Sequence, residues 1–209
     1  MNILESLQWR YATKKFDATF SLASDQIHIL KECFNLTATS FGLQPIKLVI
    51  IENKELRERL VPHAFGQRQV ADASHLFIIC IENESTVDDV NNYFNLVKEI
   101  RNTPDETLAP FKQYLTDTIS KSEKSDLEQA AKSQAYIALG NLLTVCATQK
   151  IDSCPMEGFL PEKFDNILNL ASLNLKSVLL LPVGKRASDD YMAALKKVRK
   201  PIENIVIEM

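Results

Sequence analysis

The spacing of hydrophobic and polar positions changes several times along the chain, and each change marks an element. Asn2–Trp9 carries Ile3, Leu4 and Leu7 on one helical face, which predicts a short amphipathic helix with that face turned to the core. Ser24 stands as an N-cap before Ile27, Leu30 and Phe34, spaced i, i+3, i+7. Ile46–Glu52 is short and β-branched, and Leu76–Glu82 is a second apolar run, so both predict strands. Asn53 is placed to cap a helix through about Val61. Thr86-Val-Asp-Asp reads as a capping box with Asp in place of Glu, followed by an apolar stripe of Val87, Val90, Phe94 and Val97. Pro104 ends that helix, and a more polar helix is expected over residues 105–124. The longest uninterrupted helical pattern is Asp126–Gln149, where Ala131, Ala135, Ala138 and Gly140 would let another helix come close. A loop (Ser153–Phe159), a helix (Pro161–Asn169), a strand (Lys176–Pro182), a polar helix-like stretch (Ser188–Leu195) and a final strand (Asn204–Glu208) complete the reading. Helices outweigh strands, which predicts an α+β fold with a small sheet sandwiched by helices, organised as a single domain over residues 1–209.

Composition narrows the function classes. A chain of 209 residues, 45% hydrophobic and 24% charged, can bury a proper core. Its net charge of −3 is spread in both signs along the chain, which excludes a basic nucleic-acid footprint. Apolar runs such as Ser177–Val183 are too short to span a bilayer, and Met1-Asn-Ile-Leu-Glu lacks the regions of a signal peptide. A cytoplasmic protein with neither a membrane nor a nucleic-acid partner is expected. Cys33, Cys80, Cys146 and Cys154 form no C-x-x-C pair, and His28, His63 and His75 complete no metal-ligand spacing with them. The expectation is four reduced, mostly buried thiols and no metal.

Polar residues cluster in three segments. In Arg10-Tyr-Ala-Thr-Lys14-Lys-Phe16 two cations follow a helix end and lead into a turn. Pro155-Met-Glu157-Gly158-Phe159 predicts a shaped loop whose backbone N–H groups can point at a ligand. In Lys196-Lys197-Val-Arg199-Lys200-Pro201, alternation puts Lys197 and Arg199 on one side of an extended segment, a spacing that fits a phosphate clamp. Each has a plainer explanation alone: cations complementing a helix dipole, a solvated basic run, a simple turn.

Together these segments resemble the nitroreductase family of FMN flavoproteins, including its dihydropteridine reductase-like and flavin reductase-like members. The similarity spans essentially the whole chain and rests on Arg10–Phe16, Thr39-Ser40-x-x-x-Gln44-Pro45, Gln67-x-Gln69-Val-x-Asp72-Ala-Ser-His75, Gly140-Asn141, Pro155–Phe159 and Lys197-x-Arg199. The resemblance implies an intertwined homodimer with FMN sites at the subunit interface and a small, mixed but mainly antiparallel sheet. It implies that Arg10, Lys197 and Arg199 hold the FMN phosphate, and that Lys14 lies near the N1/O2 edge of the ring with Gln69 on the pyrimidine side. It also places Tyr11, Ala12 and Gln67 at the cofactor, Pro155, Met156, Glu157 and Gly158 over the ring face, and the Glu157 backbone N–H on N5. Thr39 and Ser40 would reach the cofactor from the partner subunit and Gly42 would also lie at the cofactor, while Phe41, Phe111 and Tyr114 would bound the acceptor. The implied reaction is ping-pong: NADH or NADPH reduces FMN, and a nitroaromatic, quinone, pteridine or similar planar acceptor is then reduced. No side chain acts as a general base, and no dinucleotide fingerprint decides between the two donors.

Four positions depart from the family pattern. Ala12 stands where Ser is common, Gly42 and Gly66 where Asn is usual, and Gln69 where the best-known members have Lys. These losses leave room for a flavin store or sensor with little turnover. A phosphate-binding module without flavin is the third possibility.

Overall fold

The computed structural model describes residues 2–209. Four strands, β1 (Ile46–Ile51), β2 (His75–Glu82), β3 (Asp152–Ser153) and β4 (Leu175–Gly184), form one sheet in the order β1-β2-β4-β3. Every ladder in it is antiparallel; Ala12 adds a lone parallel bridge to Ser153. Ile46 pairs with Ile81 and Ile51 with Leu76, while a bulge between Ile79 and Cys80 shifts the β2–β4 register.

Strand β2 is buried along almost its whole length, which explains its continuous apolar run. Its side chains alternate between two cores. Leu76, Ile78 and Cys80 join Leu180, Phe159 and Phe164 on one face; Phe77, Ile79 and Ile81 join Leu179 and Leu181 on the other. Helices α3 (Lys54–Leu60) and α8 (Pro161–Leu168) cover the first face, with the single turn α4 (Gln69–Asp72) beside them. Helices α2 (Ser24–Asn35) and α7 (Lys124–Thr148) cover the second, and α1 (Ile3–Trp9) packs on α7. Helices α5 (Val87–Arg101) and α6 (Asp105–Lys121) form a separate hairpin around Val90, Phe94 and Leu115.

Several local expectations hold for the stated reason. Asn53 caps α3 by accepting from the Leu56 N–H at 2.8 Å, and Asp89 closes the capping box on the Thr86 N–H at 2.6 Å. All four cysteines are buried and free. Others need correction. Ser24 is the first residue of α2 rather than its cap; Gln26 closes the turn by accepting from the Ala23 N–H at 3.1 Å. Helix α1 turns Ser6 inward and leaves Ile3, Leu4 and Leu7 exposed, because the small Ser6 allows close approach to α7. Ala131, Ala135 and Ala138 are buried in the core that α7 shares with the sheet and with α2, whereas Gly140 faces open space. Residues 188–195 contain one 3₁₀ turn, Tyr191–Ala194. The strand expected at Asn204–Glu208 is absent: that stretch holds part of a single turn, Ile202–Asn204, followed by exposed residues. Its β-branched composition suits a strand, but within the chain no ladder receives its backbone N–H and C=O groups.

Candidate functional site

Arg10 ends α1 in extended backbone and starts a segment laid along β3. The Thr13 N–H donates to the Ser153 carbonyl at 3.2 Å, and Phe16 bridges Arg186. Two buried carboxylates lock the segment in place. Asp152 accepts from the Arg186 N–H at 2.9 Å and from its guanidinium Nε at 2.7 Å, and that guanidinium stacks over both Trp9 and Tyr11. Asp190 accepts from the Tyr11 hydroxyl at 3.0 Å, the Lys14 N–H at 2.9 Å, the Lys15 N–H at 3.2 Å and the Met192 N–H at 3.1 Å. Burial alone would raise the Asp190 pKa, but these donors together hold it below the ordinary carboxylate value. The Tyr11 phenol is pushed the other way, first by burial and then by its bond to Asp190.

The chain leaving Asp190 returns to Arg10. The Lys197 ammonium donates to the Arg10 carbonyl, and Arg10, Lys197 and Arg199 line one crevice of 770 Å³ together with Tyr11 and Ala12. Among the described residues none of these three cations has a carboxylate within ion-pair distance. Burial and the neighbouring Arg199 charge lower the Arg10 pKa; burial, Arg10 and Arg199 lower that of Lys197. The Arg10 Nε is buried with no hydrogen-bond partner. The three cations thus face one crevice without a counter-charge.

Beyond Ser153 the backbone enters the Pro155–Gly158 loop. Met156 exchanges two backbone hydrogen bonds with Leu180, at 2.9 and 3.0 Å. Gln67 Nε2 donates to the Gly158 carbonyl at 2.9 Å. The backbone N–H groups of Glu157 and Gly158 find no acceptor among the described residues. A Cβ at position 158 would stand 3.1 Å from Gln67 Nε2, so the glycine permits that contact. Gln67 follows a left-handed pair, Phe65 (φ 54°) and Gly66 (φ 74°), which explains glycine at 66. Gln69 is buried at the start of α4, and Lys14 is exposed.

The remaining expected residues gather elsewhere. In the Thr39–Gly42 turn the Ser40 N–H donates to Gln134 Oε1 at 2.8 Å, and the buried Thr39 hydroxyl has no partner. Phe41 packs edge-on against Phe111 and Tyr114, with centroids 6.2 and 6.3 Å away, so the three residues expected at the acceptor do touch. Gly42 has φ 76°, and a Cβ there would meet the Tyr93 ring at 3.0 Å, which accounts for its departure from Asn. This turn borders a second cavity, of 210 Å³ between α6 and α7, and takes no part in lining the Arg10 crevice. The sequence reading missed Asp190, Arg186, Gln134 and Tyr136. The Asp189-Asp190 pair inside a weak helix pattern was the only available signal for the first.

A helix-flanked antiparallel sheet with an uncompensated cationic crevice defines an α+β protein. A model of the nitroreductase family matches residues 7–185, and the chain belongs to that family. A Bacillus subtilis protein named as a candidate NAD(P)H nitroreductase is 30% identical over 219 residues, covering 98% of this chain and 96% of its own. The major NAD(P)H-flavin oxidoreductase of Aliivibrio fischeri is 29% identical over 211 residues, covering 98% and 97%. An Exiguobacterium sibiricum protein solved in complex with FMN superposes with a TM-score of 0.87 at 20% identity, covering 100% of this chain and 98% of its own. No helix among the described residues is long and apolar enough to cross a membrane.

Proposed function

We propose that this protein is an FMN-dependent oxidoreductase that takes a hydride from NADH or NADPH and passes it to a small flat acceptor such as a nitroaromatic, a quinone or a pteridine. One observation carries the reading: cations from the two ends of the chain, Arg10 with Lys197 and Arg199, meet with no carboxylate to answer them. A phosphate dianion would relieve their repulsion, with each charge-assisted bond contributing about 1.5–3 kcal/mol. The unpartnered Arg10 Nε and the free N–H groups of Glu157 and Gly158 supply further donors, so these residues fit FMN. Arg10, Lys197 and Arg199 would hold its phosphate, with Tyr11 and Ala12 beside it. Lys14, Gln67 and Gln69 would face the pyrimidine edge, and the backbone of Pro155, Met156, Glu157 and Gly158 the ring. FMN bound there supplies the hydride chemistry that no side chain of the chain offers.

The chain's own part is position and charge. Asp190 fixes the backbone of Lys14, so its ammonium starts from a set place. Met156 and Gln67 hold the 155–158 loop from both sides, leaving its N–H groups free for a ligand. The Thr39–Gly42 turn, with Phe41, Phe111 and Tyr114, lies apart from the Arg10 crevice, so in this reading a second copy brings it to the cofactor. Donor and acceptor then use the same face in turn, as a ping-pong scheme requires, within one catalytic unit spanning residues 1–209 that works in the cytoplasm. The flavin chemistry named for the Aliivibrio fischeri and Exiguobacterium sibiricum proteins supports this assignment. The alternative is a flavin store or sensor with little turnover, and Ala12, which offers the cofactor no hydroxyl, favours it. Titration with FMN followed by steady-state NADPH oxidation with a quinone tests both. Tight FMN uptake with parallel initial-velocity plots is expected. Uptake without turnover selects the store, and no uptake ends the proposal.

A further inference from the structure

We infer that Asp190 is a positioning residue for the phosphate end of the ligand, its two carboxylate oxygens each holding one wall of the Arg10–Lys197–Arg199 crevice. The inference rests on the flavin reading above and gives Asp190 a part beyond the fixing of Lys14. Asp190 is only 4% exposed. Its Oδ2 serves the N-terminal wall, accepting from the Tyr11 hydroxyl at 3.0 Å and from the Lys14 and Lys15 N–H groups at 2.9 and 3.2 Å. Its Oδ1 serves the other wall. It accepts from the Met192 N–H at 3.1 Å and so caps the Tyr191–Ala194 turn, from which the chain runs on to Lys197 and Arg199. Tyr11 and Met192 both line the crevice.

Little else joins the two walls. Among the described residues, the Lys197 ammonium on the Arg10 carbonyl is the one further hydrogen bond between residues 190–199 and residues 8–12. Three like charges gathered there repel one another, so the crevice needs a frame that holds its walls together. Asp190 supplies that frame without quenching the site. Neither of its oxygens lies within ion-pair distance of Arg10, Lys197 or Arg199.

This division of labour fixes the sign of a substitution. Asn has one oxygen in place of two, so whichever way its amide turns, its NH2 group faces a backbone N–H that the carboxylate now satisfies. Loss of a negative charge near three cations would, by Coulomb attraction alone, tighten the hold on an anion. Loss of one wall's anchor would loosen it.

Riboflavin, which is FMN without its phosphate, isolates the quantity to measure: the riboflavin Kd divided by the FMN Kd, from fluorescence titration. Asp190→Asn is expected to lower that ratio about tenfold, the loss of about one charge-assisted bond to the phosphate. Tyr11→Phe, which takes one donor from Oδ2 and changes no charge, should lower it by less. Asp189→Asn removes the same charge one position away, from a side chain paired with Lys15 at the surface, and should not lower it. A level or raised ratio in Asp190→Asn overturns the inference, as does an equal fall in Asp189→Asn. Should Asp190→Asn fail to fold, an unchanged ratio in Tyr11→Phe overturns it instead. A wild-type protein that binds FMN no better than riboflavin overturns the phosphate assignment of the flavin reading, and this inference with it.

Discussion

Burial and the Arg199 charge lower the Arg10 pKa, and burial with the charges of Arg10 and Arg199 lowers that of Lys197, so without a ligand the three cations are ill-matched neighbours. The predicted signature of a binding role is therefore a split response. Arg199→Ala should weaken FMN binding at least about tenfold, the equivalent of one charge-assisted bond, without lowering the melting temperature of the ligand-free protein. Fluorescence titration and a thermal melt read the two halves; a variant that melts early yet binds FMN normally contradicts the assignment. In the proposed flavin site Gln69 would face the pyrimidine edge without a charge, where the best-known members of the family have Lys. Gln69→Lys should raise the flavin midpoint potential by about 20–90 mV, from roughly 1–4 kcal/mol of added stabilisation of the reduced form. Spectroelectrochemistry checks it, and an unmoved potential rejects it. Residues with a charge and a neighbouring motif, such as Arg10 or Lys197, were legible in the chain. Tyr136 was not, because a tyrosine inside an apolar helix carries no mark of the carboxylate it meets 21 positions later.

At the scale of elements, the long-range pairing of strands was the least readable feature and the periodicity within them the most. Ile46–Ile51 and His75–Glu82 follow directly from short β-branched runs, and the split of β2 into two cores follows from its alternation. The inward face of α1 was misread because apolarity there does not mark the packed side: Ser6 does. His75 opens β2 and shows what burial does to a titrating group. Its Nδ1 lies 2.8 Å from the Ser74 hydroxyl, and burial, outweighing the pull of Glu52, lowers its pKa from 6.5. A lowered folded value means that the unfolded chain binds the proton more readily. The stabilisation is then complete above pH 6.5 and is lost as pH falls through the folded value. Denaturant midpoints measured from pH 7.5 downward should therefore fall for the wild type, and fall less steeply for His75→Gln. Equal slopes would remove the argument.

At the scale of the whole molecule, several stretches of apolar surface are uncovered, and the proposed homodimer would bury them. Ile3, Leu4 and Leu7 on α1, Tyr136 and Ile137 on α7, and Ile205, Val206 and Ile207 near the C-terminal end are all exposed. On α7, Tyr136 and Ile137 are exposed although Ala135, Ala138 and Leu142 on its other side are fully buried. A second copy covering these faces would also account for a strand-like sequence at 204–208 that has no strand to pair with here. Sedimentation equilibrium should give twice the 23.6 kDa chain mass, and Leu4→Lys with Leu7→Lys should shift it toward the monomer. A wild-type protein that sediments at 23.6 kDa while loaded with flavin would break the shared-site arrangement.

The contact between the Lys197 ammonium and the Arg10 carbonyl joins two points 187 positions apart. During synthesis residues 197 and 199 leave the ribosome only after all four strands have emerged. If these cations hold a phosphorylated ligand as proposed, that cradle is assembled last, and no cofactor can template the sheet on which it would rest. On the proposed reading, a chain cut short before Lys197 would keep all four strands yet lack two of the three cations meant for the ligand.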